Sequence, residues 1–378
     1  MLYKLLKTKI YFIVAFLFIA LSNVYITSVS SLSPAYLGII LSIVSLMFFF
    51  NDTEKFYKNR KTEVLTLFLF LFFIYLVVDC IVTGNSRELS YYLIYFFFNH
   101  FMFILGLYYF QRCDIQQIKK IIKYLYIFSV IIFLVDFVYR VTHSVNKFSG
   151  VLAFYNFKYN DLMFLDSNWP GFMAMLLFSL MLYLKDNGYC TQKKVIFLSF
   201  LLVCQTISRA AIVCCILVLI FSKFLKLNKG TKILLLFFCI PILLIMIIVL
   251  ISKLTDLSFL SKLELIKGML YYLTHFDLGN LLWGNYPDAC HDNELFMHTW
   301  IGGHLYMTRY IDFGFYAFFF EAFFLVLLCF YTHYKALYVI IPFIIAGLSF
   351  APWNLPYMYV FLALIFVLEN SLNKKQLI

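Results

Sequence analysis

Apolar residues along this chain gather into long unbroken runs, and the polar residues collect between them. Runs of roughly 18 or more apolar residues recur from one end to the other, each long enough to cross a bilayer as a helix. The pattern predicts twelve spans. The first five lie near Ile10–Tyr25, Leu32–Phe50, Val64–Val82, Tyr91–Phe110 and Ile121–Tyr139. The others lie near Gly171–Leu184, Val195–Ser208, Arg209–Phe224, Ile233–Ile251, Ile311–Tyr331, Ala336–Phe350 and Tyr357–Leu368. A transmembrane barrel would show short segments of alternating character, and these are absent. The expected fold is an all-α polytopic membrane protein forming one domain over residues 1–378. No convincing small-residue cleavage site follows the basic Met1–Ile10 segment, so the first run reads as a retained span.

One stretch departs from this pattern. Lys253–Tyr310 is the only long polar segment, and it holds four of the seven histidines: His275, His291, His298 and His304. Loops of that length are functional or disordered, and this one is too rich in aromatic and apolar residues for disorder. It is expected to fold as a cap over a site at the membrane face. Within it, Leu257–Phe276 has an amphipathic stretch suited to the interface plane.

Composition sharpens the class. The chain is 64% hydrophobic and 13% charged, against about 45–50% and about 25% for soluble domains. The net charge of +11 sits in short loops, where it orients helices and implies no nucleic-acid partner. With the N-terminus inside, 21 of the 30 Lys and Arg residues fall on inner segments and 9 on outer ones. That asymmetry places both termini in the cytoplasm and Lys253–Tyr310 outside.

The outer basic residues run against that rule. Arg140, Arg209 and Arg309 stand at predicted span ends, where snorkelling to headgroups is the plain explanation. Asp136 sits one turn before Arg140 and suits an ion pair with it. Arg209 is the sharper case. It follows the polar break Gln205-Thr206-Ile207-Ser208 inside an apolar run from Val195 to Phe224, which reads as a tight outer turn. A guanidinium beside the free amides of a helix start suits phosphate. His100 within a span reads as a helix–helix hydrogen-bonding residue. Glu321, also within a span, reads equally as a functional acid or a bundle pair. The spacings of His291, His298 and His304 do not place them on adjacent turns of one helix, so no metal is expected.

Several of these residues carry a resemblance. Thr206-Ile207-Ser208-Arg209-Ala210-Ala211 resembles the T-x-S-R-(G/T/A)-A signature of the O-antigen polymerase (Wzy-like) and O-antigen ligase superfamily. Asp166-Ser167-Asn168-Trp169-Pro170-Gly171 is similar to its D-x-N-x-x-(A/G) element. Leu282-Trp283-Gly284 resembles its fG-x-G turn, though Asn285 follows Gly284 and the second glycine of the turn is not matched. The stretch from His304 through Arg309 and Asp312 to Gly314 resembles its histidine re-entry into a span, with Leu305 where the family commonly has Asn.

The resemblance implies a GT-C-like membrane fold with a large periplasmic loop, in a bacterial inner membrane. It implies a polymerase of lipid-linked repeat units, or a ligase. The partners implied are an undecaprenyl-pyrophosphate-linked oligosaccharide, the membrane lipids and a chain-length regulator, with neither metal nor cofactor. It casts Arg209 and His304 as catalytic. Arg140, Arg309, Asp166, Asn168, His298 and His291 are cast as substrate-binding. The rival class is a flippase or other transporter, which usually shows two related halves; the long loop has no counterpart in the first half. A structural membrane subunit is the third class, and it leaves the outer arginines and histidines unexplained.

Overall fold

The computed structural model describes residues 59–82, 89–144, 157, 168–189, 192–228, 230–231, 267–268, 270–285, 305–347 and 355–371, with 37, 40, 41 and 44. Every regular element among them is helical. In order they are α1 (Arg60–Val82), α2 (Leu89–Phe96), a π-turn (Phe97–Phe101), α3 (Met102–Phe110) and α4 (Ile115–Ser144). Then come α5 (Asn168–Asp186), α6 (Lys193–Cys204), α7 (Arg209–Leu225) and α8 (Leu278–Trp283). The last three are α9 (Leu305–Tyr331), α10 (Leu337–Gly347) and α11 (Pro356–Ser371). Nine of the twelve predicted spans coincide with these helices. The first, second and ninth fall largely or wholly outside the described residues.

Four of the described helical stretches are long and apolar enough to cross a membrane: Arg60–Val82, Tyr92–Phe110, Ile115–His143 and Ile311–Tyr331. The protein is a helical membrane protein. Hydrocarbon offers no partner for a bare peptide group, so apolar runs of this length must close their hydrogen bonds within a helix.

Helix α1 shows how lipid and protein divide one helix. Leu65, Leu69, Phe72 and Leu76 are buried at spacings of three and four, the stripe expected of a helix packed on one side. Its other face exposes Leu67, Phe70, Leu71 and Ile81, apolar residues that water would not tolerate in such density. Two helices are enclosed instead. Residues Pro170–Leu184 of α5 are all buried, and so are Leu355–Leu368 around α11. A helix apolar on every side belongs at a centre. Accordingly α5 packs on α6, α7 and α10, and α11 packs on α3. Small residues permit the second contact: a Cβ on Gly106 would lie 2.8 Å from the Cβ of Ala363. Close backbone approach of this kind, rather than hydrophobic transfer, holds helices together in lipid.

The π-turn widens the helix at mid-span and brings Asn99 and His100 fully inside. Asn99 Oδ1 accepts from the amide of Leu355 at 2.7 Å, at the start of α11. His100 is ringed by aromatics, with Phe72 at 4.8 Å and Tyr359 at 5.0 Å between ring centroids. Phe72 belongs to α1 and Tyr359 to α11, so His100 sits where three elements meet.

Helix ends sort into two sets. Lys61 Nζ donates to Asn370 Oδ1 at 2.8 Å, Gln111 Nε2 to Thr62 Oγ1 at 2.9 Å, and Lys335 Nζ to Asn187 Oδ1 at 2.8 Å. Asp186 accepts from Lys226 at 2.6 Å and from the Tyr338 hydroxyl at 2.7 Å. All of these belong to segments that the charge rule assigns to one side. The opposite ends meet one another through Arg140 and Gln205, Asn168 and Ser208, and Gly284 and Gly314. The alternation of ends read from sequence therefore agrees with contacts between residues up to 309 positions apart.

Candidate functional site

The first part of the candidate site is the turn between α6 and α7. Helix α7 begins at Arg209 after Ser208, whose backbone is extended. The Thr206 hydroxyl donates to Val203 O at 2.7 Å and receives the Ser208 amide at 3.4 Å. These local bonds close the turn, as Ser and Thr side chains do at helix ends. Helix α5 then presses on it. Ser208 Oγ donates to Asn168 Oδ1 at 3.2 Å. Gly171 lies so close that a Cβ there would fall 2.6 Å from Ser208 Cβ and 2.8 Å from Thr206 Oγ1. The two sequence motifs, about forty residues apart, are thus one packed unit that requires glycine at 171. Arg209 is exposed at its edge.

Arg140 borders the same turn from α4. It is wholly buried, and its guanidinium meets Asp136 at 2.5 Å. The pair suggested by the sequence spacing is therefore formed. A second guanidinium nitrogen lies 3.4 Å from the Gln205 carbonyl, and Phe157 lies 5.3 Å from the guanidinium carbon.

The second part is the joint between α8 and α9. Asp277 caps α8, accepting from the Asn280 amide at 2.7 Å. The helix ends at Gly284 with φ +86. Helix α9 is interrupted at Gly314, where φ is +75 and ψ is 179. The two glycines pack against each other: a Cβ on Gly284 would fall 2.3 Å from Asp312 O and 2.7 Å from Gly314 N. The interruption breaks the hydrogen-bond ladder of α9 near Ile311. Asn285 fills the gap, with its backbone and side-chain nitrogens each 3.1 Å from the Ile311 carbonyl. Irregular backbone survives at membrane depth only where protein or a water-filled cavity surrounds it. Here Tyr75 of α1 adds to the enclosure. Its hydroxyl donates to Phe313 O at 3.2 Å, and its ring stacks on Trp283 at 5.7 Å.

Deeper in the same helix, Glu321 accepts from Tyr95 at 2.5 Å and from Tyr359 at 2.8 Å. It also lines an apolar cavity of about 380 Å³ between α9 and α10. Of its two sequence readings, bundle pairing is formed in the structure.

Placement of the expected site residues is uneven. Asn168, Arg140 and Arg209 gather at the α6–α7 turn. Arg309 falls in α9, five residues before Gly314. Asp166, His291, His298 and His304 lie outside the described residues. Sequence reasoning missed Asp79 and Tyr75. Asp79 is an acid near the end of a span and is fully buried, a cost that lipid-embedded acids bear for a reason; that was the available signal. Among the described residues no group of three or more His, Cys, Asp and Glu side chains is arranged to hold a metal ion.

No protein-family model, curated protein or solved structure matches the chain. The fold and its buried polar joints define a polytopic α-helical membrane protein.

Proposed function

We propose that this chain is a membrane glycosyltransferase that polymerises lipid-linked oligosaccharide repeat units of O-antigen or capsule type. In this reading it has twelve spans in a GT-C-like arrangement, in a bacterial inner membrane, with Lys253–Tyr310 facing the periplasm. The donor is a glycan on undecaprenyl pyrophosphate. An acceptor sugar hydroxyl attacks the anomeric carbon, a new C–O bond forms, and the bond to the pyrophosphate oxygen breaks. His304 takes the hydroxyl proton, the general-base role to which an imidazole is suited at neutral pH. The departing pyrophosphate gathers negative charge, which Arg209 and the α7 amides stabilise, with Arg309 assisting.

One observation carries the reading. Four short motifs, spread over residues 166 to 314, combine as two tight contacts: Gly171 with the Thr206–Ser208 turn, and Gly284 with Gly314. Lipid-crossing packing alone needs no such pairing of turns at one set of helix ends. Ligation of finished glycan to a lipid acceptor shares this chemistry and is the alternative; a flippase is the other. Deleting the gene and resolving surface glycan on a gel separates them. Loss of chain length with a single repeat retained supports polymerisation. Long polymer left unattached to its lipid acceptor means ligation. Repeat units trapped at the inner leaflet mean flipping and refute the proposal.

A further inference from the structure

The α6–α7 turn holds a strained residue. Ile207 has φ +56. Left-handed backbone is disfavoured for any L-residue, and a β-branched side chain there is an outlier. Such a conformation persists only where its surroundings over-determine it, and it is found at functional sites.

The surroundings here come from two helices. Helix α5 supplies Asn168 and the space at Gly171. Helix α4 grips Gln205, two residues before Ile207, through both its side chain and its carbonyl. Gln205 Nε2 donates to Phe133 O at 3.0 Å, and Arg140 Nη1 donates to the Gln205 carbonyl at 3.4 Å. Arg140 in turn is fixed by Asp136 at 2.5 Å. Both charged side chains are fully buried, and Arg140 Nε finds no hydrogen-bond partner among the described residues. A buried ion pair rarely adds stability over an apolar pair of equal volume. Its presence beside the strained turn therefore calls for another role.

We infer that Asp136 and Arg140 are a positioning clamp. They hold the strained turn at Ile207 in the shape that presents Arg209 and the first amides of α7. Arg140 acts through the turn and does not meet the ligand. The functional consequence, though not the clamp itself, rests on the phosphate-binding role proposed for Arg209.

Hydrogen exchange on the full-length protein in detergent tests the clamp directly. The variants are Arg140→Lys, Arg140→Gln and the paired Asp136→Leu/Arg140→Met. The paired change removes both charges together, so it leaves no lone buried charge to unfold the protein. Segment 205–212 is expected to exchange about tenfold faster in Arg140→Gln and in the paired variant. Arg140→Lys should fall between, since it keeps the charge and loses the fork. Exchange around Asp186 should stay as in the parent. Unchanged exchange at 205–212 in the paired variant overturns the clamp.

A double-mutant cycle tests what the clamp serves, with inorganic pyrophosphate as the probe. Arg140→Gln is expected to weaken pyrophosphate binding about tenfold, and to add much less in an Arg209→Ala background, where only the α7 amides are left to position. An equal further loss in that background means that Arg140 touches the ligand itself, and the inference fails. If the parent protein binds no pyrophosphate, the role proposed for Arg209 fails, and the exchange result still decides the clamp.

Discussion

Gly284 and Gly314 meet backbone to backbone: a Cβ on Gly314 would lie 2.4 Å from the Gly284 amide nitrogen and 2.4 Å from the Leu282 carbonyl oxygen. Both residues have positive φ, so neither site accepts a side chain on steric or on conformational grounds. The contact ties the turn after α8 to the interruption in α9.

Gly314→Ala should therefore lower the melting temperature sharply. Crowding alone costs about 1–3 kcal/mol, and positive φ adds about 1–2 kcal/mol. Size-exclusion profiles of fluorescently tagged protein after stepwise heating measure the change. An unaltered melting curve would mean that the two backbones do not touch.

Arg209→Ala should abolish polymer while leaving expression normal, because Arg209 is exposed at the helix start and the packed part of the turn lies elsewhere. Arg209→Lys should also lose much of the activity, since an ammonium cannot offer the two parallel donors of a guanidinium. Glycan ladders read both. Full-length polymer from Arg209→Ala would remove this residue from the site.

His304→Ala should shorten or abolish polymer, and the same change at His291 or His298 should do less. The reason lies in sequence position: His304 precedes α9 directly, and Gly302-Gly303 before it permits a sharp bend. Normal chain length from His304→Ala with none from His298→Ala would assign the base to the wrong histidine.

Asp186 makes a pH prediction. Burial raises its carboxyl pKa, but hydrogen bonds from Lys226, Ser222 and Tyr338 outweigh this, and the net shift is downward. A depressed carboxyl stabilises the folded state above its ordinary pKa, and the benefit is lost as pH falls through the folded value. The melting temperature of the parent protein should thus exceed that of Asp186→Asn at neutral pH. The gap should begin to narrow as pH falls below about 4 and close once pH passes below the lowered folded value. A gap that persists there would place the stabilisation elsewhere.

Orientation is open to cysteine labelling. A membrane-impermeant reagent added to intact spheroplasts should modify Asp288→Cys and spare Lys58→Cys. The opposite pattern would invert the orientation and move the α6–α7 turn to the cytoplasmic side.

Much of the helix pattern was legible because lipid imposes a simple rule on each run. Arg60–Val82 and Ile311–Tyr331 announce themselves by length and apolarity alone. The polar break at Gln205–Ser208 was legible as a turn because a run of about thirty apolar residues is too long for one span. The strain at Ile207 was not, since nothing local favours positive φ in isoleucine; packing from α4 and α5 imposes it. The role of Asn285 was hidden for a similar reason. In sequence it is a residue that departs from a glycine pattern, and only the interruption at Gly314 shows which carbonyl it satisfies. The Tyr95–Glu321–Tyr359 arrangement joins three separate helices, and no spacing rule links residues across a bundle.

The wide turn at Phe97–Phe101 amounts to one residue inserted into an otherwise continuous helix. Each α-helical residue rotates the chain by about 100°. Deleting a single residue here would leave a well-formed helix, yet swing everything from Met102 to Phe110 round by that angle. Gly106 would then face away from Ala363, and a bulkier neighbour would take its place against α11. The register of half the helix thus hangs on one amino acid, and a one-codon deletion should harm the protein more than most substitutions within the same span.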